Sequence, residues 1–384
     1  MSVRAALLLE IGGRLQIEEV ALREPGPHEA IVRMTASAVC ITDVLSSEGH
    51  VMAAPPTLLG HAAAGVVEQV GPGVSGVGVG DRVVVCGTPE CGICYWCARG
   101  EPSFCVELDA GIGRTIGRRV ADGQPVGADG GIGTFAERLL LRESGLVPVE
   151  VDVPDEHLCL LGCGAMSGLG AVLGLAGVTP GASMAVVGCG HLGLWMIQGG
   201  RLAGADPIIA VEPRTARRAL AAELGATHVL DPADGDPVER VRELTGGRGA
   251  DYAFEAAGPP EAMQQAFAMT RHAGTFVPAG WTTLSAEVTL NAVEFAIGAR
   301  RIVGCQYGGA TIHRDIPRFA ALMATGRIDP GPIASRIYPL EEINAAFDAA
   351  RAREVLSAVI VPRRRWADRR VGCGPPDPRS ARWP

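Results

Sequence analysis

The sequence predicts an α/β protein in which a mostly-β module frames a doubly wound parallel sheet. Three observations carry that expectation. An apolar run at Ala185-Val186-Val187 leads straight into Gly188-Cys189-Gly190-His191-Leu192-Gly193, after which Leu194-Trp195-Met196-Ile197 opens a helical pattern. From about residue 165 to 300, strand and helix patterns alternate, the mark of parallel βα units. Residues 1 to about 155 read instead as successive β-runs broken by Gly and Pro.

The glycine stretch has the strand-turn-helix context that a dinucleotide-binding Gly-x-Gly-x-x-Gly requires. Gly188 makes the turn, Gly190 admits a pyrophosphate close to the backbone, and Gly193 lets helix and strand pack. The helix N-terminus adds N–H donors and a partial positive charge. His191 and Leu192 lie inside the turn; His191 can approach the pyrophosphate or face solvent. The next apolar run, Ile208 to Val211, ends on Glu212, placed to accept from the adenosine ribose 2′-OH. A carboxylate there repels a 2′-phosphate, so NAD is expected rather than NADP.

Composition narrows the rest. The chain has 384 residues, enough for two domains, with 47% hydrophobic and 20% charged residues, so it is globular. A net charge of −8 gives no support to nucleic-acid binding. All 34 basic residues are arginine. Met1 to Glu10 lacks the features of a signal peptide. Leu160 to Val178 is uncharged and long enough for a membrane span, but its glycines mark it as a buried segment. A cytoplasmic protein with no membrane partner is expected. The eleven cysteines are clustered, which points to metal rather than disulfides.

In chain order, β-runs are expected at Glu29 to Val39, Ala64 to Val70 and Arg82 to Cys86, separated by Gly-Pro-Gly at 71–73 and Gly-Val-Gly-Asp at 78–81. Parallel strands follow near 183–187, 208–211, 228–230, 251–254 and 274–278, with helices such as Thr215 to Leu224 and Glu261 to Met269. After Ile302 come helices at Asp315 to Thr325 and Leu340 to Arg351, then a strand at Val355 to Val361. The Arg- and Pro-rich tail, 363–384, is expected to be disordered.

Cys91, Cys94, Cys97 and Cys105 have the spacing C-x2-C-x2-C-x7-C. Four thiolates that close can complete a tetrahedral zinc site with no open position, which makes it structural. Cys40-x-Thr42-Asp43, Gly60-His61, Gly65-x-Val67, Gly71-x-x-Val74, Gly80-Asp81-Arg82-Val83, this four-Cys lobe and Gly162-Cys163-Gly164 together resemble the zinc-dependent alcohol dehydrogenases of the medium-chain dehydrogenase/reductase superfamily. Gly133-Thr134-Phe135-Ala136-Glu137, Phe254-Glu255, Tyr307-Gly308-Gly309 and Glu342-Ile343-Asn344-x-x-Phe347 extend the likeness from about residue 3 to Pro362.

The resemblance implies a GroES-like catalytic domain, residues 1–164 and 307–362, with the structural-zinc lobe near 86–106, and a Rossmann NAD-binding domain at 165–306. It implies Cys40, His61 and Cys163 as ligands of a catalytic zinc, hence two zinc ions per chain, with Thr42 taking the alcohol proton and Asp43 orienting the zinc histidine. Ser167 falls near the nicotinamide and Arg217 on a basic adenosine-side position. The implied reaction moves a hydride between an alcohol and NAD in a homodimer or homotetramer. Alternatives within reach are a thiol-adduct formaldehyde dehydrogenase, a double-bond reductase and a non-catalytic NAD-binding scaffold. The chain departs from the family at Ala62, where a Glu is usual, and at Leu45, where a proton-relay His is usual. His50 is read as a surface loop residue, with replacement of that relay His as the alternative. Two basic pyrophosphate contacts fall on Ile41 and Ser357. Three pocket positions fall on Gly87, Ala110 and Val51, all small, so a roomy pocket and a bulky alcohol are expected.

Overall fold

A computed structural model describes residues 1–51, 53–110 and 114–362, and side chains within these except at 109, 110 and 129. The tail at 363–384 therefore lies outside the described residues.

Three sheets organise the chain. Ser2–Leu8, Gln16–Leu22, Thr115–Arg119, Pro125–Ala128 and Thr57–Leu58 close a small barrel. Beside it runs a mixed sheet in the order Leu146–Pro148, Arg82–Val85, Ala63–Val70, Glu29–Val39, Ala358–Val361, Arg336–Pro339, with Arg138–Arg142 also on Glu29–Val39. Glu29–Val39 is paired along both edges, and most of its side chains are buried on both faces. The strand expected at Val355 to Val361 begins only at Ala358, because Val355 and Leu356 turn into the cleft described below.

The third sheet is parallel throughout, in the order His228–Leu230, Ile208–Val211, Met184–Val187, Ala250–Glu255, Thr270–Pro278, Arg301–Ile302. The chain winds outward from Met184–Val187 in one direction, then crosses to begin Ala250–Glu255 on its other side. A crevice opens at the carboxyl ends of those two strands, where such sheets bind ligands. The glycine turn stands at that crevice. Gly188 has φ +91°, and a Cβ on Gly193 would lie 1.9 Å from the Gly188 carbonyl oxygen. Both positions require glycine if helix His191–Ala203 is to start where it does.

The apolar stretch from 159 is a broken, buried segment: a 3-10 turn Cys159–Gly162, an α-helix Gly164–Gly170 and a π-turn Ala171–Leu175. Among the described residues no single helix is long and apolar enough to cross a membrane. A Cβ on Gly168 would come within 2.5 Å of the Trp195 Cβ, so the glycine lets this helix lie directly on His191–Ala203.

Glu29 clamps barrel to sheet. Its carboxylate accepts from Arg23 at 2.5 Å, Arg114 at 2.5 Å and the Gly26 N–H at 2.8 Å. Burial works against the charge, but the Arg23 and Gly26 hydrogen bonds and the charges of Arg114 and Arg23 bring its pKa down to about 2. Glu29→Gln is expected to cost about 3 kcal/mol near neutral pH, the lower end for a buried pair losing one partner. The folded pKa lies below the unfolded one, so this stabilisation is complete above the ordinary carboxylate range and disappears as pH falls toward the folded value. Denaturant unfolding of both proteins checks it: the gap should narrow at about pH 3, and a constant gap would rule out the charge as its cause.

Candidate active site

Cys40 follows the strand Glu29–Val39 and caps helix Ile41–Ser47, whose first turn carries Thr42 and Asp43. The Asp43 carboxylate is fully buried; one oxygen accepts from the Cys40 N–H at 2.8 Å and the other lies 3.0 Å from His61 Nδ1. That contact makes Nδ1 the protonated nitrogen and leaves Nε2 to face inward, 3.3 Å from Cys163 Sγ. Cys163 sits at the break between the 3-10 turn and helix Gly164–Gly170. The ligand atoms of Cys40, His61 and Cys163 all lie within 4.8 Å of one another. The hydrogen bond from Cys163, aided by His61 and Thr42, holds the Cys40 thiol well below its ordinary pKa despite burial. The same contact, with burial, pushes Cys163 well above its own. Two thiols and an imidazole held this closely form a three-ligand set suited to zinc with an open fourth position.

The second cluster is the lobe of Cys91, Cys94, Cys97 and Cys105, whose sulfurs also lie within 4.8 Å of one another. Backbone N–H groups, led by that of Cys97, bring Cys94 down to about 6, and burial pushes Cys105 up to about 12. Ile93 is 89% exposed and Tyr95, Phe104 and Val106 are also exposed, so the lobe has almost no apolar core of its own. A closed four-thiolate metal site supplies what the missing core cannot. Cys86 stands apart: it is buried, and its pKa is raised to about 11 by that burial.

A single cavity of about 630 Å³ runs from Glu212, Arg214 and Arg217 past Gly188, Gly190, His191 and Leu192 to Ser167, Thr42, Cys40, His61 and Cys163. Glu212 is nearly buried and accepts from the Cys189 N–H at 2.9 Å and the Arg214 N–H at 3.0 Å, which fixes its carboxylate at the mouth of the glycine turn. Arg217 crosses to donate to the Arg353 carbonyl at 3.0 Å. Gly193 does not line the cavity; it packs beneath the turn.

Two open alternatives close and two expectations change. His191 does not face solvent: its ring stands against Gly164, where a Cβ would meet Nε2 at 2.1 Å, and Nε2 is buried without a partner. Burial lowers its pKa, so it is neutral. Ser357 is buried and turned away from the cavity, whose wall there is Val355 and Leu356; Ile41 does line it. His50 is exposed, with Nε2 3.9 Å from Glu48, and neither it nor Leu45 lines the cavity. Finally, Gly87 leaves no empty space. The Tyr307 hydroxyl fills it, 2.3 Å from where a Gly87 Cβ would be. Of the other two pocket positions, Val51 lines the cavity, whereas Ala110 ends the helix Val106–Ala110 and its side chain lies outside the described ones. Tyr307 was visible in the sequence only as part of a Tyr-Gly-Gly match; no spacing relates it to Gly87.

Residues 26–151 match the alcohol dehydrogenase GroES-like domain family, and residues 192–325 the zinc-binding dehydrogenase family. The chain is 35% identical to an alcohol dehydrogenase class-3 of Cereibacter sphaeroides, over 94% of this chain and all of that one. The chain belongs to the zinc-dependent alcohol dehydrogenases. This dehydrogenase is also 35% identical to a geraniol dehydrogenase of Castellaniella defragrans, over 94% of this chain and 98% of that one. An S-(hydroxymethyl)glutathione dehydrogenase of Synechocystis is 34% identical, over 94% and 100%. Among solved structures, a benzyl alcohol dehydrogenase of Acinetobacter calcoaceticus superposes with TM-score 0.86 at 30% identity, covering 94% of this chain and 99% of that one. The barrel and mixed sheet are thus GroES-like and the parallel sheet a Rossmann domain; NAD is the cofactor, and the two clusters fit two zinc ions per chain.

Metal analysis should find two zinc ions per chain. Cys97→Ser should lose one of them together with much of the stability, because structural zinc contributes folding free energy directly. Cys40→Ser should lose the other and abolish turnover with thermal unfolding little changed. One zinc or none in fully active enzyme would overturn the assignment.

Proposed function

We propose that this dehydrogenase interconverts a bulky alcohol and its aldehyde or ketone, with NAD, in the cytoplasm. The observation that carries the reading is the continuous cavity joining Glu212 to the Cys40, His61 and Cys163 cluster. In this reading residues 1–164 and 307–362 form the catalytic domain and 165–306 the NAD-binding domain. Cys40, His61 and Cys163 would hold the catalytic zinc, and Cys91, Cys94, Cys97 and Cys105 the structural one. When bound, the catalytic zinc supplies Lewis acidity and NAD the hydride acceptor or donor.

The protein's own groups position and move protons. Asp43 accepts from His61 Nδ1–H and the Cys40 N–H, so it orients two ligands at once. The Thr42 hydroxyl takes the alcohol proton. Ser167 and Leu192 flank the nicotinamide end, the N–H groups of the Gly188 to Gly193 turn hold the pyrophosphate, Glu212 takes the ribose hydroxyls, and Arg217 covers the adenosine side. His191 adds a side-chain donor to the pyrophosphate. Its unpartnered Nε2 supports this, as does the apolar Ile41 on the facing wall.

The size preference is supported by apolar residues that line the same cavity, Val51, Leu108, Ile132 and Trp281. Each methylene buried there contributes ~0.8 kcal/mol. The relatives named for geraniol and benzyl alcohol support the same range. Among the described lining residues the arginines are Arg214, Arg217 and Arg353, all at the adenosine end. Among the described residues, then, no arginine lines the cavity away from the adenosine end to meet the carboxylates of a glutathione adduct, which favours a free alcohol over the thiol-adduct reading.

The edge strand Arg301–Ile302 of the parallel sheet, with exposed Val293, Phe295 and Ile297 beside it, supports a homodimer or homotetramer, checked by the mass of the protein in solution.

Steady-state assay of alcohols of rising size tests the function. Larger apolar alcohols should exceed ethanol in kcat/KM by about tenfold or more. NAD should be favoured over NADP on the order of a thousandfold, since Glu212 must otherwise face a phosphate. Ethanol as the best substrate, or turnover only with added thiol, would sink the reading. His191→Ala should weaken NADH binding about tenfold or more, the loss of a hydrogen bond to a charged group; unchanged affinity in a fluorescence titration would remove His191 from the cofactor site.

A further inference from the structure

Tyr307 stands at the cluster with no role in the account so far. It opens a short 3-10 turn, Tyr307–Gly309, with φ +46°, a left-handed backbone rare for an aromatic residue. Such a conformation persists only where the surroundings impose it, and it gathers at functional sites. Here the imposing contact is plain. A Cβ on Gly308 would lie 2.7 Å from the Ser167 carbonyl oxygen and 2.8 Å from that of Met166, so the turn is pressed onto the helix that begins beside Cys163.

The phenol reaches from that turn to Gly87. The point where a Gly87 Cβ would stand is 2.3 Å from the Tyr307 hydroxyl and 3.2 Å from His61 Cδ2. Hydroxyl and imidazole thus face each other across a missing side chain. Tyr307 lines the cavity, and among the described residues nothing hydrogen-bonds to its hydroxyl. A phenol is neutral near pH 7 and can donate its proton to an acceptor. A phenol O–H that opens on a ligand cavity without a protein partner is free to donate to a bound molecule. The hydroxyl stands one side chain's width from the His61 ring, so its partner is a group held close to the cluster.

We propose that Tyr307 sets substrate specificity by donating a hydrogen bond to an oxygen on the carbon adjacent to the reacting one. The substrate class is then an α-oxygenated alcohol, such as a vicinal diol or a 2-alkoxy alcohol, and the matching carbonyl compound. This rests on the alcohol dehydrogenase reading above and narrows it. A site built to donate to an oxygen rejects an analogue that puts a methyl there, because the donor is left unpaired.

Two isosteric pairs test it. Propane-1,2-diol and 2-methylpropan-1-ol differ by hydroxyl against methyl at the adjacent carbon. Glycolamide and propionamide make the same exchange in unreactive carbonyl analogues, and their dissociation constants from the enzyme–NADH complex can be read by NADH fluorescence. The oxygenated member should be favoured about tenfold or more in kcat/KM and in binding. In Tyr307→Phe both ratios should fall to about one, with zinc content unchanged. Gly87→Ala keeps the tyrosine but places a methyl in the space its hydroxyl occupies, and should lower both ratios as well. A wild-type ratio near one, or an unchanged ratio in either variant, overturns the proposal. Oxidation of 2-methylpropan-1-ol without preference for the diol defeats this inference alone, whereas failure to oxidise any alcohol defeats the reading beneath it.

Discussion

One buried carboxylate, Asp43, holds the reaction centre together. It has no exposed surface, and burial pushes its pKa up, opposed by the charge and hydrogen bond of His61. A carboxylate so desolvated is tolerated only when its oxygens are well occupied. The Cys40 N–H occupies one and His61 Nδ1 the other. The end of the strand Glu29–Val39 and the start of Ala63–Val70 are therefore tied at one point, in the register that pairs Ser37 with Ala63. The third ligand arrives through a close approach. A Cβ on Gly162 would lie 2.3 Å from the Val85 carbonyl oxygen and 2.7 Å from the Ala62 Cα, so only glycine lets Cys163 come forward.

That crowding explains Ala62. Its side chain is buried, and its methyl stands 3.0 Å from where a Gly162 Cβ would be. Ala62 also offers its carbonyl to the Ser37 hydroxyl and the Ala38 N–H. A carboxylate here would be a further negative charge beside two thiols and Asp43. The position acts in packing, and Asp43 is the buried carboxylate at the cluster.

Local features were legible in the sequence, and contacts across the fold were not. The glycine turn could be read because each glycine answers a backbone constraint inside one short segment. The four-Cys lobe could be read because its ligands lie within one loop. His61 and Cys163, 102 residues apart, could be joined only through likeness to a family, since no spacing brings them together. The strands and helices of the parallel sheet fell where their apolar patterns placed them, Thr215–Leu224 among them. The misreadings share a cause. Gly87 was small, so it suggested space; the space belongs to Tyr307, which arrives from the far end of the chain. Ser357 was assigned by position in a motif, but which way it points is set by the packing of the strand that begins at Ala358.

The helix Gly164–Gly170 is what makes those distant contacts one device. It begins next to Cys163, presents Ser167 to the cleft, lies on His191–Ala203 through Gly168, and receives the Tyr307–Gly309 turn through Gly308. Gly170 continues the contact, since a Cβ there would be 2.9 Å from the Gly308 carbonyl oxygen. Interiors packed this closely transmit displacement rather than absorb it. Metal ligand, cofactor turn and the phenol over Gly87 are therefore referenced to the same short helix. A side chain at Gly164 would strike the His191 imidazole, so the glycine that follows the third ligand is also what lets that imidazole turn into the cleft. The cofactor end and the metal end of the cavity are thus fitted to each other through the glycines of one helix.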